Sequence, residues 1–265
     1  MFDSHCHLHD DRIGANAPAM IARARAAGVT GFLLAGVGPD GWPVEESLAR
    51  AYPELAVAYG VHPQLVAEVD DAESDRLVAA LAATLDDRTR VRAVAVGEIG
   101  LDGYGDRRSS LPRQERAFRA QLALARAHEL PVVLHVLSAH ARAIELLRAD
   151  GLPRAGGVAH SYSGSSELVR DYCALGLHVS FAGPVTYPNA PKIQAAARAV
   201  PKGRLLVETD APFQTPYLAP GGTRPAQNEP SFLVAIVEAL AQIRGEPADE
   251  LGAYTEANAR QLFQI

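Results

Sequence analysis

Short apolar runs alternate along the chain with longer stretches rich in alanine, leucine and arginine. The runs have the length of buried strands, whereas the longer stretches carry apolar residues at helical spacing. The predicted strands are an N-terminal run, Thr30–Val37, Leu55–Val61, Val91–Gly97, Pro131–Val136, Gly156–His160, His178–Ala182 and Arg204–Glu208. The predicted helices are Ala17–Ala27, Asp75–Leu85, Gln114–Glu129, Ala139–Ala149, Glu167–Leu175, Pro191–Ala199, Glu229–Arg244 and Ala248–Phe263.

Strict alternation of strand and helix predicts a parallel sheet. Eight such units predict closure into a (β/α)8 TIM barrel, with an open doubly wound sheet as the alternative. No internal repeat or linker divides the sequence, so we expect one domain spanning residues 1–265. No glycine-rich nucleotide motif follows the first strand. The longest irregular stretch, Ala211–Gln227, follows the last strand, where a long barrel loop is usually functional.

With 265 residues, 48% of them hydrophobic, the chain can bury a substantial core. No stretch reaches the roughly 18 unbroken apolar residues that span a bilayer, and no signal peptide precedes Met1. We therefore expect a cytoplasmic protein that does not associate with membranes. Cys6 and Cys173 are expected to be reduced thiols rather than a disulfide. The sequence specifies no oligomeric state.

The formal net charge of −6 argues against the broad basic surface that gives many nucleic-acid binders their nonspecific affinity. Lysine occurs only at Lys192 and Lys202, and the other basic residues are arginines. If the protein binds phosphates, metal ions and a few arginines must attract them.

Histidine or carboxylate residues stand at the ends of six predicted strands. In order they are His5 with His7, His62, Glu98, His135, His160 and Asp210. Barrel enzymes build their active sites at the C-terminal strand ends. Because strand side chains alternate, His5 and His7 project to one side and Cys6 to the other. The pattern therefore predicts a metal site assembled by the barrel.

Four imidazoles and two carboxylates suit a divalent ion such as zinc, with manganese or magnesium as alternatives. Six ligands exceed one open catalytic zinc site, which favours two ions bridged by Glu98. The first ion would take His5, His7 and Asp210, and the second would take His135 and His160. Neither lysine ends a ligand strand, so a carboxylated lysine is not expected to bridge.

The other histidines have no comparable position. His128 and His140 fall on predicted helices, and His9 and His178 carry no argument from strand ends. All four are interpreted as structural.

Seven motifs distributed over almost the whole chain resemble the TatD family of metal-dependent deoxyribonucleases, within the amidohydrolase-like barrels. They are Asp3-Ser4-His5-Cys6-His7, Gly60-Val61-His62-Pro63, Gly97-Glu98-Ile99-Gly100-Leu101-Asp102, Leu134-His135, His160-Ser161-Tyr162-Ser163-Gly164, Glu208-Thr209-Asp210-Ala211-Pro212 and Asn228-Glu229-Pro230. The resemblance implies that the six ligands above bind metals and that His62 lies near the substrate phosphate.

The chain departs from the family pattern at two places. Leu137 stands where the family commonly has an arginine, and residues 103–106 (Gly-Tyr-Gly-Asp) replace an aromatic pair followed by a basic residue. Both departures predict a shifted substrate preference. Arg107 or Arg108 could supply the missing charge, and Arg224 resembles a family arginine that precedes Asn-Glu-Pro.

The ligand set predicts hydrolysis, since a divalent ion lowers the pKa of bound water towards roughly 7 and polarises the scissile group. The candidate catalytic residues are Asp210, which could accept the proton of the attacking water, His62, which could donate to a phosphate oxygen or assist the leaving group, and Glu98. Glu208 and Asp102 are candidates for orienting the ligands. Asp3 could equally be a plain strand residue.

The leading hypothesis is a metal-dependent DNase, a 3'-to-5' exonuclease on single-stranded or frayed DNA, because a barrel mouth admits a strand end more readily than a duplex interior. The second hypothesis is an ester or amide hydrolase, for example on the aminoacyl ester of a transfer RNA. The third is a noncatalytic subunit that retains the barrel, which such a ligand cluster disfavours.

Overall fold

Eight parallel strands form one sheet in which each strand pairs with the next along the chain. This computed structural model describes residues 1–219 and 221–265; Pro220, in the long loop after the last strand, lies outside them. The strands are β1 (Phe2–Cys6), β2 (Gly31–Ala35), β3 (Leu55–Tyr59), β4 (Ala95–Asp102), β5 (Val132–Leu137), β6 (Gly157–Ala159), β7 (Leu177–Phe181) and β8 (Leu205–Val207).

The sheet is a nearly closed barrel because the segment after β8 returns to β1. The amide of Asp210 donates to the His5 carbonyl at 2.9 Å, and the amide of His7 donates to the Ala211 carbonyl at 2.7 Å. The carboxylate of Asp3 accepts the Thr209 amide at 2.9 Å. The predicted (β/α)8 barrel is therefore confirmed, and the open doubly wound sheet is wrong.

Ten helices are found in the described residues. They are α1 (Ala17–Ala26), α2 (Trp42–Ala51), α3 (Pro63–Glu68), α4 (Asp71–Asp86), α5 (Leu111–Ala127), α6 (His140–Asp150), α7 (Ser166–Ala174), α8 (Pro191–Ala199), α9 (Leu233–Arg244) and α10 (Ala248–Phe263). Helices α2 and α3 are not predicted by the sequence pattern. Only Trp42 and Glu45 of α2 are fully buried, so this helix has no apolar stripe to detect, and α3 is only six residues long.

Strand β4 differs from its prediction. It was expected to end at Gly97, but it continues to Asp102, so Glu98 lies inside the strand rather than at its end. His135 likewise lies within β5. The pairing of β4 with β5 shifts register between Val96 and Ile99, and such a bulge redirects the side chains beside it. A Cβ at Gly100 would lie 2.0 Å from the His135 carbonyl oxygen, so this close approach requires glycine.

The barrel is filled at its N-terminal end and open at the other. Phe2, Leu33, Val133 and neighbouring interior side chains form one apolar cluster with the end of α10. The rings of Phe2 and Phe263 lie 6.3 Å apart. The barrel interior therefore opens towards the C-terminal strand ends. In the described part of the chain, no helix is long and apolar enough to cross a membrane.

Candidate metal centre

The C-terminal strand ends bring together every residue that the sequence analysis singled out for the site. They are His5, His7, His62, Glu98, His135, His160 and Asp210. All except His135 are buried, and the side chain of His135 is only 16% exposed. Glu98 lies at the centre of the cluster.

One side of Glu98 faces His5 in β1, His7 directly after β1, and Asp210 in the segment after β8. Its Oε2 atom lies 3.2 Å from His5 Nε2 and 3.6 Å from His7 Nε2. The Oδ1 atom of Asp210 lies 3.6 Å and 3.2 Å from the same two nitrogens. His5, His7 and Asp210 thus form one compact group of possible metal ligands.

The other oxygen of Glu98 faces a second set of imidazoles. Its Oε1 atom lies 2.7 Å from His160 Nε2, 2.8 Å from His135 Nδ1 and 3.0 Å from His62 Nε2. Five imidazoles therefore surround one carboxylate. The distal Nδ1 atom of His5 is buried and has no hydrogen-bond partner in the described residues. Such a densely packed donor set fits divalent cations.

Hydrogen bonds at the distal nitrogens distinguish His7 from His62. His7 Nδ1 lies 2.9 Å from the Ala35 carbonyl, which can only accept, so the proton is on Nδ1 and the Nε2 lone pair faces the site. His62 Nδ1 instead accepts the Gln64 amide at 3.0 Å. The neutral ring of His62 must then carry its proton on Nε2. His62, Glu98 and His135 lie close enough to share an ion, but this tautomer makes His62 a donor.

The cluster shifts the pKa values of its members. Burial would raise the pKa of Glu98, but His160, His62 and His5 hold it well below its usual range. Burial would lower the pKa of His160, but Glu98 and Glu208 raise it well above its usual range. Burial also lowers the pKa of His62, which favours its neutral form. The surrounding imidazoles therefore favour the anionic form of Glu98 at the centre of the site.

Asp102 and Glu208, the candidates for orienting the ligands, each lie behind one histidine of the cluster. Asp102 Oδ2 is 3.5 Å from His135 Nε2, and Glu208 Oε1 is 3.5 Å from His160 Nδ1. Arg107 Nε pairs with Asp102 Oδ2 at 2.9 Å and does not line the cavity, so it is not positioned to replace the charge missing at position 137.

Asp3 is more than a plain strand residue. It accepts the Thr209 hydroxyl at 2.6 Å, and burial raises the pKa of its carboxyl to about 7. This contact holds β1 against the segment that carries Asp210.

Two buried glutamines on α5, neither of them predicted as a site residue, hold the backbone at or just after the ends of β3 and β4. Gln121 accepts the Val61 amide at 2.8 Å and donates to the Val61 carbonyl at 3.1 Å. Gln114 accepts the Asp102 amide at 2.7 Å and donates to the Asp102 carbonyl at 3.0 Å. Their spacing of seven residues places both on one helix face, which was the signal available in the sequence.

Gln214 and Asn228 organise the segment after β8 and were also missed as site residues. Gln214 Nε2 donates to Asp210 Oδ2, and its Oε1 accepts the Ser161 hydroxyl at 2.7 Å. Asp210 Oδ1 is left to face His5 and His7. Asn228 is buried and donates to the carbonyls of Thr209 and Phe213 at 2.7 and 2.6 Å.

The remaining histidines lie away from Glu98. His9 pairs with buried Glu45 at 3.2 Å. His140 lies 2.9 Å from the Tyr172 hydroxyl and 3.2 Å from the Ser163 hydroxyl. His128 lies 3.6 Å from Asp86, and His178 lies within β7.

A cavity of about 1060 Å³ opens above the cluster. Leu65, Leu137, Ile193 and Phe213 give it apolar surface. Acidic residues outside the cluster also line it: Asp10, Asp11, Asp40, Glu68 and Glu73. Among the described residues that line the cavity, none is a lysine or an arginine. Among the described lining residues, an anion would therefore be attracted chiefly by metal ions held in the cluster.

We expect Glu208→Gln to weaken metal binding or activity by about 10- to 100-fold, the usual effect of losing a partner behind a ligand. Glu208 Oε2 also accepts a hydrogen bond from the Ser180 hydroxyl at 2.7 Å. In the glutamine variant, an amide nitrogen in place of Oε2 could not accept this hydrogen bond. Metal titration and initial rates measure the effect. Glu167→Gln on α7 is the control, and unchanged metal affinity in Glu208→Gln would show that Glu208 does not orient His160.

A (β/α)8 barrel with histidines and carboxylates gathered at its C-terminal strand ends defines a class, the metal-dependent barrel hydrolases. Comparison with known proteins specifies the family. A family model described as TatD related DNase matches residues 2–264. The chain belongs to the TatD family and is a metal-dependent hydrolase, as the motifs predicted.

Individual relatives are similar over their full length. A metal-dependent hydrolase of Bacillus subtilis, YabD, is 32% identical, with 100% of this chain and 99% of the relative covered. The 3'-5' ssDNA/RNA exonuclease TatD of Salmonella typhimurium is 35% identical, with 100% and 99% covered. The crystal structure of the TatD homologue YjjV from Escherichia coli superposes with a TM-score of 0.90 at 31% identity, covering 100% of this chain and 98% of that one.

Proposed function

We propose that the protein is a two-metal phosphodiesterase that removes nucleotides from the 3' ends of single-stranded or frayed DNA. The observation that carries the proposal is the position of Glu98, whose two carboxylate oxygens face two separate sets of imidazole nitrogens. A bridging carboxylate has this arrangement. The first ion is assigned His5, His7 and Asp210, the second His135 and His160, with zinc, manganese or magnesium as the ion.

Divalent ions bound there would supply a water of lowered pKa and would polarise the phosphoryl group. The protein's own residues then have distinct tasks. Asp210 is held through Oδ2 by Gln214, so Oδ1 is the oxygen that faces His5 and His7 and can take up a proton beside them. In the structure His62 directs Nε2–H at Glu98 Oε1, 3.0 Å away, and the same N–H can donate to a phosphate oxygen or to the leaving group when substrate is bound.

Three features support a strand end as the substrate. The Salmonella typhimurium relative is named for 3'-5' cleavage of single-stranded DNA and RNA, which makes RNA a second substrate to test here. The cavity resembles in volume the pockets of about 300–1,000 Å³ that enclose small ligands. The acidic lining of the cavity would repel a long polyanion, so we expect the protein to bind DNA weakly and to contact only a few nucleotides at the strand end. The comparisons do not favour the ester or amide alternative.

The test uses protein reloaded with zinc, manganese or magnesium and single-stranded DNA labelled at either end. We expect mononucleotides to be released from the 3' end and duplex DNA to be degraded more slowly. If aminoacyl esters are cleaved while DNA and RNA remain intact, the proposal is wrong. We further propose that residues 1–265 act as one domain in the cytoplasm.

We expect Leu137→Arg to lower KM for single-stranded DNA and to make its salt dependence steeper. Leu137 lines the cavity in which the described lining has no cation. One added phosphate contact should change the slope of log affinity against log salt by about 0.7 for a single strand. Measuring KM across a salt series tests this. Ile265→Arg adds the same charge at an exposed position outside the cavity; an equal change in that variant would mean that only net charge matters.

A further inference from the structure

Phe213 is an aromatic side chain left partly exposed beside the metal cluster. It is 36% exposed and lines the cavity. Its ring centroid lies 5.7 Å from that of His7, with the two planes at 75°. A large apolar surface next to assigned ligands is open to whatever the cavity binds.

The backbone holds Phe213 in a fixed position. Its amide donates to the Asp210 carbonyl at 2.8 Å. Its carbonyl accepts the side-chain amide of buried Asn228 at 2.6 Å. The ring therefore keeps its place relative to Asp210, which is the preorganisation that a binding surface requires.

Arg12 stacks on this ring. The guanidinium carbon of Arg12 lies 4.6 Å from the centroid of Phe213. Among the described residues, no carboxylate forms an ion pair with Arg12, whereas Arg23 and Arg25 on the nearby helix are both paired. An unneutralised guanidinium thus lies beside a cavity whose described lining has no cation of its own.

An aromatic ring beside an arginine suits an unpaired nucleobase. Proteins bind single strands by stacking bases on aromatic side chains, and arginine adds to this interaction. The acidic lining of the cavity cannot hold a backbone by charge, so stacking has to supply the affinity that basic residues supply elsewhere. Ions held by His5, His7, Asp210 and their neighbours would engage the phosphate, which would place the base of the same strand end near the adjoining ring.

We infer that Phe213 and Arg12 bind the base of the nucleotide at the strand end that is being cleaved. Phe213 stacks on the base, and Arg12 supports the ring and adds a positive charge. The inference rests on the proposed nuclease function. It assigns a substrate class, a strand end with an unpaired base, and explains how a cavity with an acidic lining can select it. Because every base has a stacking face, recognition should be tolerant of sequence.

The test compares a single-stranded oligonucleotide ending in a 3' purine nucleotide with the same oligonucleotide ending in a stable abasic analogue. We expect Phe213→Leu to lower kcat/KM for the intact substrate about tenfold, mostly through KM, because stacking of one base commonly contributes that much. The abasic substrate should be cleaved by the variant and by the wild type at the same rate. Phe213→Tyr should restore wild-type behaviour on both.

Arg12→Gln changes an exposed side chain, so its result does not depend on folding. We expect about a two- to fivefold loss on the intact substrate, the range of an exposed cation–π contact, and no loss on the abasic one. The matched controls are Arg25→Gln and Tyr52→Leu. Arg25 also stacks on an aromatic ring, that of Tyr52 at 5.5 Å, but this pair lies at the opposite end of the barrel. Neither control should distinguish the two substrates.

Each outcome has one meaning. Equal losses on both substrates in Phe213→Leu would overturn the inference and make Phe213 a structural residue. Unchanged kinetics on the intact substrate in both Phe213→Leu and Arg12→Gln would overturn it as well. If the wild-type enzyme degrades neither oligonucleotide, the proposed function fails and the base-binding role fails with it. That failure is visible in the wild type alone.

Discussion

Replacing Glu98 with glutamine is expected to reduce turnover by at least about 10³-fold, because loss of the proposed bridge would remove several kcal/mol of transition-state stabilisation. The substitution keeps the shape of the side chain but removes the charge that faces imidazoles at 2.7 to 3.2 Å. Metal content should fall together with the rate. Initial rates and metal analysis of the purified variant measure both effects.

Circular dichroism should show an intact barrel in Glu98→Gln, since the neighbouring apolar residues of β4 are unchanged. Glu145→Gln is the matched control, because the Glu145 side chain is 62% exposed on α6 and far from the site. Turnover like that of the wild type, with normal metal content in Glu98→Gln, would reject the bridging role. A normal rate in a variant that has lost one of its two ions would mean that a single ion is sufficient for the reaction.

Removal of divalent ions is expected to abolish activity and to lower thermal stability. Activity should return as two equivalents of ion per chain are added. An ion present at about 1,000 times its Kd stabilises the folded state by roughly 4 kcal/mol, which corresponds to an increase in Tm of roughly 10 °C for a chain of this size. Calorimetry and rate measurements during a metal titration test both expectations.

The number of ions needed for full activity distinguishes a site that works with one ion from a site that needs two. Full activity at one equivalent would contradict the two-ion proposal while leaving metal dependence intact. An unchanged Tm and rate after complete removal of metal would contradict both. The His62→Ala variant provides a further check, because a donor that is not a ligand should leave the number of bound ions at two.

The sequence predicted the barrel because each strand is a short apolar run and most helices have an apolar stripe. The prediction was wrong where the buried residues do not form a short apolar run or an apolar stripe. Helix α2 buries Trp42 and Glu45 rather than a continuous stripe. Strand β4 runs past Gly97 because the glycines on either side of Glu98 allow close approach to β5. Local composition therefore predicted the order of elements better than their ends.

The cluster could be predicted because parallel strands deliver their C-terminal residues to one end of a barrel. The residues that were missed act on the backbone. Gln121 clamps the residue before His62, and Asn228 joins two carbonyls of the loop after β8. Their roles depend on which backbone groups the fold leaves unpaired. The spacing of polar side chains along a sequence does not carry that information.

The join between Asp3 and Thr209 connects groups 206 residues apart along the chain. The first strand and the residue after it supply two of the assigned ligands, and the segment beside Thr209 supplies another. During synthesis, therefore, an N-terminal portion that ends before Asp210 lacks part of the set assigned to the first ion. Binding of that ion would require the last strand to have docked, whereas the set assigned to the second ion is already present in a shorter chain.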